Sequence, residues 1–202
     1  FTLAALFVYR LGAHVPTPGV DAAALGKLFD QGSLLGFLDL FAGGALSRFS
    51  IFALGVTPYI NSSIVMQLLA VVVPSIEKMQ KEGEEGRKKI VQWTRYGTII
   101  FAFIQAVGMT GWLKGLGIYS GGMLDIILVS LTLTTGAVAV MWLGEIMSDH
   151  GIGNGISLLI FAGIVVRIPE AIIRTASLVR LGEMNVLVML IAVAIMVAVV
   201  AG

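Results

Sequence analysis

Apolar positions in this chain of 202 residues fall in long, nearly charge-free runs, with short polar links between them and no strand-like alternation. Phe49 to Ile76, Tyr96 to Leu113, Ile126 to Gly144 and Met184 to Gly202 each approach or exceed the roughly 20 helical residues that cross a hydrocarbon core. Phe1 to Tyr9 reads as the end of a further span, and Gly155 to Val166 as a shorter apolar helix closed by Arg167 and Pro169. The pattern predicts an all-α polytopic membrane protein. Its expected parts are the end of span one (1–9), span two (49–73), a charged loop (74–95), span three (96–113), span four (123–144), span five (153–168), a polar connection (169–183) and span six (184–202). Trp93 and Trp112 suit the two interfaces of span three, and Asp21 to Gln31 has the pattern of a short amphipathic surface helix.

One stretch breaks the regularity. Phe37 to Leu46 is apolar but far too short to cross, and the span after it carries Pro58, Asn61, Ser62, Ser63 and Gln67 in its middle. Facing lipid, those amides and hydroxyls would be left unpaired, so this span is expected to face other helices or water. A half-length helix beside such a span predicts a re-entrant piece packed in a pathway through the membrane.

Composition agrees with a place in lipid: 57% of residues are apolar and 12% charged, with mean hydropathy +0.97, where soluble domains carry about 25% charged residues. A net charge of +1 argues neither for nor against nucleic acid, but no basic stripe with interleaved aromatics appears and no nucleic acid is expected to bind directly; the absence of cysteine excludes disulfides and thiolate metal sites. His14 and His150 stand in different loops, with no HExxH and no GxSxG, so neither an enzyme, a metal nor a cofactor is expected. The glycines of GIGNG (151–155) lack the context of a nucleotide loop and read as a tight turn. Lys78, Lys81, Arg87, Lys88, Lys89 and Arg95 place the loop 74–95 in the cytoplasm. Alternation then puts Arg167, Arg174 and Arg180 outside, so charge leaves the crossing of span five open. The chain reads as a segment of a longer polytopic protein.

Three long blocks, Gly43 to Leu69, Gln80 to Thr98 and Trp142 to Val165, together with YRLGAHVPTPGVD (Tyr9 to Asp21), resemble the SecY family, the pore subunits of the bacterial protein-translocation channel. The resemblance covers essentially the whole chain. It implies half of an inverted-repeat channel, spans one to six of ten, in the bacterial plasma (inner) membrane, with span five crossing and 169–183 as the external hinge. It further implies a plug over 35–48, with Leu35, Phe37, Leu38, Leu40, Phe41, Gly43, Gly44, Leu46 and Arg48. The implied pore ring holds Ile60, Val65, Ile156 and Ile160, Val65 being smaller than the isoleucine usual there. The implied lateral gate holds Ile60, Ser63, Ile64, Gln67 and Gln105. Implied partners are SecE, SecG, the SecA motor, the translating ribosome, secretory precursors with their signal peptides, and membrane lipid.

Two other classes compete. A small-solute secondary transporter also uses inverted repeats, but places ionisable residues near mid-depth, and the charge-free runs contain none. A non-conducting scaffold fits the composition and leaves the half-length helix unexplained. Residues on their own read as packing: Ile60, Val65, Ile156 and Ile160 as ordinary apolar contacts, and Asn61, Ser62 and Ser63 as interhelical hydrogen bonds.

Overall fold

The computed structural model describes residues 2–17, 20, 25, 44–119 and 121–180. Six helices run through them: α1 (Thr2–Gly12), α2 (Thr57–Val72), α3 (Pro74–Lys81), α4 (Glu84–Gly115), α5 (Met123–His150) and α6 (Gly155–Arg180). Two compact units divide the chain, Phe1–Ile164 and Val165–Gly202. The described part of the second, residues 165–180, is helical and belongs to α6. By length and apolarity α4 and α5 each suffice to cross a membrane, and α2 with α3 forms a pair bent by 102° that qualifies together.

α4 is the axis of the first unit, packing against α2, α3 and α5, while α1 lies on α5. Its buried face is made of small residues four apart: Thr94, Thr98, Ala102, Ala106 and Thr110. Bulky Tyr96, Ile100, Phe103 and Ile104 are exposed. Small side chains let helices approach closely where lipid supplies no hydrophobic drive between them. The buried hydroxyls are satisfied locally, Thr94, Thr98 and Thr110 each donating to the carbonyl four residues before. Ser62 adds a bond between helices, donating to the Thr94 carbonyl at 2.7 Å.

Span two starts later than its charge-free run. Residues 44–56 are turns, and helix begins at Thr57 with Pro58 in its first turn. Proline has no N–H to give and a fixed φ, so it fits a helix start and not a helix middle. Among the described residues these turns are the most thoroughly buried stretch, with Ala45, Phe49, Ser50 and Ala53 almost free of solvent contact. Phe52 stacks on Tyr9 with ring centroids 5.9 Å apart. Thr17 N–H donates to the Phe49 carbonyl and Ile51 N–H to the Val15 carbonyl, tying the loop after α1 to this knot. Phe49 has φ +44°, rare for a residue with a side chain. Gly136 of α5 meets the Ile51 carbonyl where a Cβ would stand.

The expected plug falls largely outside the described residues, which begin again at Gly44. Gly44, Leu46 and Arg48 are in turns and not in a half helix, with Leu46 buried and Arg48 exposed. Gly44 itself sits at φ +86°, a conformation that ends helical continuation. The expected surface helix over 21–31 and span six over 184–202 also lie outside the described residues, Leu25 excepted.

The loop expected over 74–95 is instead α3 and the first turns of α4. Glu77 and Lys81 pair at i,i+4, Glu84 and Glu85 occupy the positive end of α4, and Gly83 at φ +76° makes the break. The polar connection expected over 169–183 is helical to Arg180, with Pro169 inside α6. Alanine, isoleucine and arginine around it favour helix, which offsets the bond that proline cannot make.

Candidate functional site

A cavity of about 490 Å³ opens within the first unit, lined by α2, α4, α5 and the start of α6. α2 contributes Tyr59, Ile60, Ser63, Ile64 and Gln67, spaced so that they share one face of the helix. α4 adds Arg87, Val91 and Arg95, again four residues apart. Glu145, Ser148 and Asp149 come from the last turns of α5, and Ile156, Ser157 and Ile160 from the first turns of α6.

The turn between α5 and α6 brings the two isoleucines into place. Asn154 caps α6, its Oδ1 accepting from Ser157 N–H at 3.1 Å. Ser148 Oγ donates to the Gly144 carbonyl and accepts from Gly155 N–H, each at 2.9 Å. Gly153 takes φ +72°, and Gly155 lies so near the Gly144 carbonyl that a Cβ would collide with it. The GIGNG glycines are thus a tight turn with close backbone approach. Gly144 in turn leaves room for the Ile156 side chain.

Three of the four expected ring residues, Ile60, Ile156 and Ile160, line this one cavity. Val65 does not: it stands about 140° around the helix axis from Ile60 and is 38% exposed. Of the expected gate residues, Ile60, Ser63, Ile64 and Gln67 are in the cavity wall, where Gln67 Nε2 donates to Ser63 Oγ at 3.2 Å. Gln105 is half-buried on α4, away from the lining. The polar residues of α2 therefore divide, Ser62 bonding helix to helix and Ser63 with Gln67 facing the open space.

Sequence reasoning missed the charged part of the wall. Arg95 Nε donates to Glu145 Oε1 at 2.9 Å, joining α4 to α5, and the Glu145 side chain keeps only 12% of its exposure. The partners are fifty residues apart in the chain. No periodicity announces such a pair; the one signal was that each caps an apolar run.

The SecY family model matches residues 50–202. The chain belongs to the SecY family. It is 47% identical over 189 residues to the protein translocase subunit SecY of Pseudomonas aeruginosa, covering 92% of this chain and 43% of that protein. Against the SecY of Vibrio cholerae it is 48% identical, covering 95% and 44%, and against that of Escherichia coli 45% identical, covering 98% and 46%. The chain thus spans a little under half the length of these curated relatives. Among solved structures, a protein-conducting channel superposes with TM-score 0.59 at 24% identity, over 80% of this chain and 34% of that one. Sec61 from a canine ribosome–channel complex gives 0.60 at the same identity and coverage. These likenesses extend the SecY-family assignment to the helical fold, and none of them favours a small-solute transporter.

Proposed function

We propose that this chain is the first half of the pore subunit of a protein-conducting channel, passing secretory polypeptides across the bacterial inner membrane and releasing apolar segments sideways into lipid. The observation that carries the reading is the presence of Ile60, Ile156 and Ile160, from α2 and α6, in the lining of one cavity. A conduit for many different sequences cannot rely on specific hydrogen bonds, which would trap some chains and reject others. Branched apolar side chains grip weakly and alike, and an empty apolar constriction resists a continuous water column. The face of α2 bearing Ile60, Ser63, Ile64 and Gln67 is this half's side of the lateral gate, where an apolar signal helix replaces helix contacts and shifts closed to open. Gln105 is the proposed contribution of α4. SecE, SecG, a SecA-type motor and the translating ribosome are the proposed partners, supplying clasp and driving force.

The test is photo-crosslinking of a stalled secretory precursor in the full-length protein, with the photoreactive group at position 60 or 156. Adducts at both positions are expected, with none from Trp142 on the exposed side of α5. Adducts to lipid alone from 60 and 156 would remove the conduit reading.

A further inference from the structure

The Arg95–Glu145 pair, itself part of the cavity wall, sits at the centre of a chain of contacts that joins α2, α4, α5 and α6. On α4, Thr94 takes the Ser62 hydroxyl of α2 on its carbonyl, and its neighbour Arg95 holds Glu145 of α5. On α5, the neighbour of Glu145 is Gly144, whose missing side chain seats Ile156 and whose carbonyl lies against Gly155. Ser62 is two residues beyond Ile60 on α2. Ile60 and Ile156, on separate helices, are thus connected through two adjacent residues of α4 and two of α5.

Three links of this chain are neutral: a hydroxyl-to-carbonyl bond, a backbone approach and an apolar seat. The fourth is ionic, with the carboxylate mostly withdrawn from water and the guanidinium half exposed. A carboxylate in that position is tolerated only while a cation answers it. Without Arg95, Glu145 must turn toward water, and the α5 segment that seats Ile156 turns with it. The geometry points to the Arg95–Glu145 pair as the positioning clasp that sets the spacing between Ile60 and Ile156 across the cavity. Arg95 is a positioning residue, acting through the isoleucines and not on the passing chain. The inference rests on the channel reading only for its consequence; the spacing itself is measurable without translocation.

The chain has no cysteine, so Ile60→Cys with Ile156→Cys reports the spacing in the full-length protein once any cysteines outside this stretch are replaced. The readout is the yield of a short bismaleimide bridge between the two. Adding Arg95→Gln is expected to lower that yield by about fivefold, within the range that coupled neighbours produce. Arg95→Lys, which keeps the cation, is expected to recover most of it. Arg95→Gln with Glu145→Gln, which removes the orphaned charge, recovers it as well. An unchanged yield in Arg95→Gln overturns the clasp, and so does failure of both rescuing variants in folded protein. Should Arg95→Gln not accumulate, the lysine variant and the double-glutamine variant decide alone: a fivefold loss in both sinks the inference. A missing bridge in the parent pair, with Arg95 intact, is a different failure and counts against the convergence of Ile60 and Ile156.

Discussion

Residues 44–56 and 59–67 adjoin in the chain and are built in opposite ways. The first segment has no helix, yet most of its residues are buried, stitched by backbone bonds to the loop after α1 and pressed against Gly136 of α5. The second is regular helix with one face given over to open space, where Ile64 keeps 49% of its exposure. Irregular backbone buried in a membrane protein is permitted only when protein satisfies its polar groups. In the knot the N–H groups of Phe49 to Ala53 and of Gly55 all find protein acceptors, and the helix, whose bonds are internal, is free to present a bare wall.

This contrast orders the effects of mutation. Phe49→Ala empties the centre of the knot and should cost about 3–5 kcal/mol, read from denaturant unfolding of the purified full-length protein in detergent; the knot would not be a fixed foundation if the loss were small. Gly136→Ala pushes a methyl group at the Ile51 carbonyl and should cost about 1–3 kcal/mol by the same assay, because a backbone atom has no rotamer to escape into. Ser62→Ala breaks the bond between α2 and α4 and should cost about 0.6–1.7 kcal/mol, a value that sharpens the border between knot and wall. Ile64→Ala should change stability by no more than about 0.5 kcal/mol while reducing precursor crosslinking from the neighbouring position 60. A cost matching that of Phe49→Ala would erase the distinction.

The long helices were legible from apolar runs because lipid requires length and excludes charge. The charged helices of 74–95 were not, since Glu and Lys suit a solvated helix as well as a loop, and the Glu77–Lys81 pair and the packing of α3 on α4 that support the helix are not visible as an apolar run. Pro58 was placed mid-span by counting charge-free residues, although its own chemistry argued for a helix start. The stripe from Thr94 to Thr110 was available as small residues at a spacing of four and passed unread. Ile60, Ile156 and Ile160 were reachable through family resemblance alone. Their approach depends on the α5–α6 turn, a contact between glycines that no hydrophobic pattern encodes.

The elbow between α2 and α3 carries one more consequence. With a single residue, Val73, between two helices bent by 102°, there is no slack at the corner. A displacement of α3 reaches the end of α2 both through Val73 and through the α4 surface on which the two helices pack. Lengthening that corner by a few glycines should loosen the 102° bend and leave each helix intact, a change that the spacing of spin labels on α2 and α3 would report.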